Sequence, residues 1–166
     1  MEKIKGRVWK FGDYIDVDAM GGAGGSSQEP AKKFILTNLR PDFPEEVRPG
    51  DVIVAGKNWG AGSAPGGEGR ATPLKELGVG AIVADSMGRL FFRTCIALGL
   101  PVFSCMGVSR IFNDGDEIEI DIAKGEVKNL ANENIIKCNP MPEHLLHMLE
   151  QGGIKALFLE KARKLL

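Results

Sequence analysis

Two short runs constrain the fold most: DVIVAG at residues 51–56 and GAIVAD at residues 80–85. DVIVAG is apolar on both faces, which is the pattern of a central strand in a covered sheet. Between the runs lie a glycine-rich stretch, NWGAGSAPGGEGR (58–70), and an amphipathic one, ATPLKELG (71–78). SMGRLFFRTCIALGLP (86–101) follows and reads as a helix, with Ser86 as its N-cap and Gly99 as its stop. PVFSC (101–105) is a further short strand. The order strand, loop, helix, strand, helix, strand calls for parallel strands joined by right-handed crossovers.

The flanks differ in character. KIKGRVWKFG (3–12) reads as a first strand, and DYIDVDAM (13–20) alternates apolar residues with acids, as an extended segment does. Residues 20–29 include GGAGGSSQE, too rich in glycine and serine to pack a core, and read as a mobile loop. EPAKKFILTNL (29–39) reads as a short helix with Pro30 near its first turn. In the tail, NDGDEIEIDIAKGEVKNL (113–130) alternates about a Lys-Gly turn, a hairpin signal, and NENIIKC (132–138) suits a third strand. Residues 141–153 and 154–166 read as helices. No repeat or linker divides the chain, so residues 1–166 are expected to form one α/β domain with an antiparallel β extension.

Composition narrows the function. A formal net charge of −1 gives no general pull toward nucleic acid or anionic membrane. No run approaches the roughly 18 apolar residues of a membrane span, and the N-terminus lacks the apolar core of a signal peptide. A cytoplasmic location is expected. Cys95, Cys105 and Cys138 are widely spaced and odd in number, which favours buried free thiols over a disulfide framework. They are too few and too scattered to hold an iron–sulfur cluster.

Residues 58–70 carry the best candidate chemistry. They follow the carboxyl end of the central strand, where open α/β sheets place their ligands. Their glycines let backbone amides approach an anion, and Ser63 is the only hydroxyl among them. Neither a Walker A nor a GxGxxG spacing is present, and no nearby histidine suggests a hydrolase triad. The residues alone leave an anion site and a plain flexible turn both open. Arg89 and Arg93 are one turn apart, suited either to clamping a dicarboxylate or to a solvated face. Asp13, Asp16 and Asp18 read as an acidic surface turn, and His144 and His147 as a solvated pair.

Several segments together resemble a known family. GRVWKFGDYIDVD is similar to the opening motif of the small subunits of the isopropylmalate isomerase and homoaconitase group, the swivel domain of the aconitase superfamily. VRPGDVIVAGKNWGAGS is similar to that family's central strand and active-site loop, and LKELGVGAIVADSMGRLFFRTCIALGLPVF to its next helix, strand and helix. DGDEIEIDIAKGEV and EQGGI fit as well. The resemblance covers nearly the whole chain. It implies an aconitase-type swivelling β/β/α domain with mostly parallel central strands and C-terminal helices. It also implies a two-part hydro-lyase or isomerase that reversibly dehydrates a 2-hydroxy di- or tricarboxylic acid, as 3-isopropylmalate dehydratase does. The large subunit would carry a 4Fe–4S cluster, with none bound by this chain. Ser63 would be the base, and Gly62, Ala64, Arg70, Arg89 and Arg93 would bind substrate.

The departures fall in the site. The family loop reads Gly-x-Gly-Ser-Ser-Arg-Glu; here Ala64 replaces the second serine, and PGGEG stands where Arg-Glu should begin. Arg70 offers a guanidinium from a shifted position. Val17 replaces a threonine, Thr94 an asparagine, and GGAGGSSQE the usual Pro-x-Arg-Tyr-Leu-like segment. Damage confined to the site favours a changed substrate over lost function. The alternatives are a non-catalytic regulatory subunit and a stand-alone anion-binding domain; the expected partners are the large subunit and, in isolation, further copies of the chain as a homo-oligomer.

Overall fold

The computed structural model describes residues 2–22 and 30–165. Its elements, in chain order, are β1 (Ile4–Lys10), α1 (Phe43–Glu46), β2 (Val52–Ala55), α2 (Ala64–Glu76), β3 (Ala81–Ala84), α3 (Arg89–Leu98), β4 (Val102–Ser104), β5 (Glu117–Asp121), β6 (Glu126–Asn129), β7 (Ile135–Lys137), α4 (Glu143–Glu150) and α5 (Ile154–Leu165). The strands form one sheet of seven in the order β4-β3-β2-β1-β5-β6-β7.

The sheet has two halves that meet at β1. On one side β1, β2, β3 and β4 are parallel, with Val52 opposite Val8 and Ile53 opposite Ile82. On the other side β5 pairs antiparallel with β1, and the β5–β6–β7 meander extends it. The strands those two runs form, β2 and β3, are buried along their whole length, because α-helical crossovers cover the parallel half. β5 and β6 alternate buried and less buried positions, as one-sided strands do.

Aromatic rings close the core where β1 ends. The Trp9 and Phe43 rings meet edge to face at 5.0 Å, and Phe11 lies 5.4 Å from Trp59. Phe43 is the one buried side chain of α1, so this four-residue helix is held by an anchor rather than by its length. Beside it, Asp51 is buried and accepts bonds from Trp9 Nε1 (2.8 Å), Arg7 Nη2 (3.0 Å) and the Arg48 amide (3.0 Å). Burial alone would raise the Asp51 carboxyl pKa, but these bonds hold it below the usual carboxylate value.

Four expectations need correction. Residues 30–39 form no α-helix: a single 3-10 turn at Ala31–Lys33 gives way to turns, because Leu36 adopts φ +62° to let its amide reach the Met20 carbonyl at 2.6 Å. The N-cap of α3 is Gly88, not Ser86, although Gly99 does end the helix in the left-handed conformation. The glycine-rich stretch is a loop only to Ser63, since α2 begins at Ala64 and takes Gly66, Gly67 and Gly69 into the helix. Tertiary packing overrides glycine's poor helix propensity there: α2 packs against α3, where a β-carbon on Gly67 would meet Thr94 Oγ1 at an ordinary contact distance of 3.6 Å. Finally, Cys105 and Cys138 are joined as a disulfide across a Cα separation of 5.3 Å, because the chain leaving β7 returns beside the end of β4. Cys95 remains a buried free thiol. The expectation for residues 20–29 falls largely on residues 23–29, which lie outside the described residues.

Candidate active site

Three segments converge beyond the carboxyl ends of β1, β2 and β3. The chain leaving β1 is tied to the chain leaving β2 by Tyr14 N to Lys57 O (2.7 Å), Gly60 N to Ile15 O (2.8 Å) and Val17 N to Ala61 O (2.9 Å). The chain leaving β3 joins through Trp59 N to Ser86 O (3.0 Å) and Gly88 N to Trp59 O (2.8 Å). Ser86 Oγ accepts the Asn58 amide at 2.8 Å, which is the work that serine does instead of capping α3. Residues 13–20 thus form no strand, but single bonds hold them against the loop.

Two glycines permit that contact. Gly60 has φ +72°, and a β-carbon there would lie 2.5 Å from the Phe91 ring. Gly62 has φ +131°, and a β-carbon there would lie 2.5 Å from Val17 Cγ2. Neither position accepts a side chain without moving the core of α3 or the segment after β1.

The loop delivers Ser63 to the N-cap of α2, with extended dihedrals (φ −75°, ψ 153°) and no capping bond from its side chain. Ser63 is exposed. Its hydroxyl therefore stands free at the positive end of a helix dipole, beside backbone amides that have no partner within the helix. Such a position stabilises an alkoxide or an approaching carboxylate. Ala64 is the first residue of the helix, and the serine it replaces would stand there.

Arg70 lies about two turns after Ser63 and so on the same side of α2. Helical side chains lean toward the N-terminus. The guanidinium follows that lean: its Nε donates to the Val17 carbonyl at 2.7 Å. Arg70 is only 5% exposed, and its Nη1 is buried without a partner. Val17, Gly62 and Arg70 are thus one packed unit, with an unspent donor inside it. The guanidinium that the sequence offers from a shifted position is held against the segment after β1.

Arg89 and Arg93 stand together on α3, but elsewhere. Phe91 turns toward Gly60 and α2. Residues two positions either side of it point about 160–200° away. Both arginines are exposed and line a separate groove of about 740 Å³ between α3 and α4, which Gly62, Ser63 and Arg70 do not touch. The structure therefore groups Gly62, Ser63 and Arg70 and sets the Arg89–Arg93 pair apart. Asp13 and Asp16 accept the Lys57 and Ala19 amides at 2.8 and 2.7 Å, as turn residues do. Among the described residues no three His, Cys, Asp or Glu side chains form a metal-ligand set. With Cys105 bonded to Cys138 and Cys95 buried alone, the chain's thiols do not fit an iron–sulfur cluster.

The contribution of Val17 was missed from sequence. It is a main-chain acceptor, and nothing in a side-chain pattern marks a carbonyl. The groove was missed too, because its lining comes from segments far apart in sequence.

No protein-family model matches the chain. It is 41% identical over 161 residues to the isopropylmalate/citramalate isomerase small subunit of Methanocaldococcus jannaschii, spanning 95% of each chain. It is 43% identical over 157 residues to 3-isopropylmalate dehydratase small subunit 1 of Thermotoga maritima, covering 91% of this chain and 92% of that one. A crystal structure of 3-isopropylmalate dehydratase from Methanocaldococcus jannaschii superposes with a TM-score of 0.86 at 33% identity, covering 99% of this chain and 96% of that one. A shared sheet, loop and helix order over essentially the full length leaves one conclusion: the chain belongs to the 3-isopropylmalate dehydratase small-subunit family.

Proposed function

We propose that this chain is the small subunit of a cytoplasmic hydro-lyase that reversibly dehydrates a 2-hydroxy dicarboxylic acid of the 3-isopropylmalate type, with Ser63 as its base. The observation that carries the reading is the free Ser63 hydroxyl at the N-terminus of a 13-residue helix. In dehydration a proton leaves the carbon next to a carboxylate, the hydroxyl leaves the neighbouring carbon, and a double bond forms between them. Return of water with the opposite placement completes an isomerisation. A Ser63 alkoxide takes up that proton, and the helix dipole and neighbouring amides stabilise the negative charge while it waits. The 4Fe–4S cluster belongs, on this reading, to the large subunit, because this chain's cysteines do not offer it a cradle.

Arg70 would hold a substrate carboxylate or position the loop that does. Its buried Nη1 lacks a partner, and an unsatisfied buried donor costs on the order of 1–3 kcal/mol. A carboxylate oxygen that reached it would recover that cost. The changes at Ala64 and Pro65 support a second element of the reading, a carboxylate held differently from the relatives'. The substrate is therefore to be sought among 3-isopropylmalate, citramalate and other 2-hydroxy acids.

The test is reconstitution. The chain is combined anaerobically with the large subunit of its own organism and assayed against that panel. Dehydration of at least one acid, by the pair and by neither subunit alone, supports the proposal. No turnover of any of them by an assembled, iron-loaded pair contradicts it.

A further inference from the structure

The groove between α3 and α4 has a chemistry that the proton-transfer site does not use. Its floor is apolar, built from Phe92, Ile96, Phe103, Met141, Leu145 and Met148. Arg89, Arg93 and His144 stand on its rim, and no acidic side chain lines it. Neither arginine makes an ion pair or a side-chain hydrogen bond among the described residues. Two guanidiniums one turn apart thus line an apolar trough with no ion-pair partner among the described residues.

The apolar surface does not end at the groove. Ile154 lines it and opens α5, where Phe158 and Leu159 are 64% and 55% exposed. On α3, Leu90 is 46% exposed. Exposed apolar side chains that continue out of a groove along a helix mark a surface for a protein partner. It also reaches the edge that carries the chemistry: Met87, on the groove wall, pairs through its backbone with Trp59 in the active-site loop.

Charge selects the occupant. A second copy would bring its own exposed apolar helix, α5, which carries Lys155, Lys161 and Arg163 against Glu160. That helix would set cations against Arg89 and Arg93. The groove instead complements apolar side chains flanked by carboxylates.

We propose that the α3–α4 groove and the adjoining face of α5 form the docking surface for the large subunit, receiving an apolar segment of it flanked by acidic residues, with Arg89 and Arg93 as the selecting charges. This rests on the two-subunit reading above. The experiment measures association of the full-length chain with its large subunit by sedimentation, for the wild type and three variants. Arg89→Glu combined with Arg93→Glu, Leu145→Asp, and Phe158→Asp are each expected to weaken association at least tenfold, while Arg89→Lys with Arg93→Lys keeps it within about threefold. Arg89, Arg93 and Phe158 are exposed, so unchanged thermal melting of those variants separates lost docking from lost folding. A wild type that associates while the charge-reversed and Phe158 variants associate equally well overturns the inference and leaves the two-subunit reading standing. A wild type that does not associate overturns both. Loss of self-association in those variants, with large-subunit binding intact, overturns it in favour of a second copy.

Discussion

Arg70 Nε donates to the carbonyl of Val17 at 2.7 Å, and Val17 in turn packs where Gly62 has no side chain. One buried guanidinium therefore ties the second turn of α2 to the segment after β1 and sits beneath the turn that presents Ser63. This linkage separates two roles for Arg70. Arg70→Lys keeps the charge but lacks the planar fork that bonds Val17 through Nε while fixing a second donor, Nη1, beside it. It is expected to raise KM for the hydroxy acid about tenfold or more, with a smaller change in kcat. A change in stability alone, with KM unmoved, would assign Arg70 to scaffolding.

Gly62 gives a packing prediction. Its φ of +131° and the 2.5 Å approach to Val17 Cγ2 leave no room for a methyl group. Gly62→Ala is expected to cost about 1–3 kcal/mol, which lowers Tm by roughly 2–10 °C at this chain length. Gly62→Ala combined with Val17→Ala should recover part of the loss, because the clash is with that side chain. Melting curves of the single and double variants decide it.

Acid should weaken the fold through Asp51. Its carboxyl titrates below the ordinary value in the folded state, because the bonds from Trp9, the Arg48 amide and Arg7 outweigh burial. A depressed folded pKa contributes stability that is fully present above the unfolded value, near 3.8. That contribution is lost as pH falls through the folded value. Urea midpoints measured between pH 5 and pH 2 should fall steeply for the wild type. Asp51→Asn should be less stable at pH 7 and show a shallower acid slope. Parallel slopes for the two proteins would contradict this assignment.

Thiol counting tests the cysteine arrangement. Burial pushes the Cys95 thiol well up from its usual value, so it should not react in the native protein. The unfolded, unreduced chain should expose one thiol, and the unfolded, reduced chain three, given the Cys105–Cys138 bond. Three thiols without reductant would remove the disulfide.

Much of the fold is legible in the sequence. DVIVAG announces a central strand because Val52 to Ala55 are apolar on both faces, and the Lys-Gly turn announces the β5–β6 hairpin. Failures occurred where long-range contacts override local preference. Gly66, Gly67 and Gly69 do not look helical, yet α3 draws them into α2. Pro30 and the residues after it look helical, yet the bond from Leu36 to Met20 unwinds them. The arginines at 89 and 93 were placed correctly on one helix face, but spacing gives no information about which side of the sheet that face meets. Cys105 and Cys138 were misread because their proximity depends on where β7 ends.

The most direct measurement is the turnover of Ser63→Ala in the reconstituted two-subunit enzyme. Ser63 is exposed at the start of α2 and makes no capping bond, so its loss should leave Tm and subunit association nearly unchanged. The kcat is expected to fall by about a thousandfold or more while substrate still binds. An Ser63→Ala enzyme that dehydrates its hydroxy acid at the wild-type rate would contradict the assignment of Ser63 as the base.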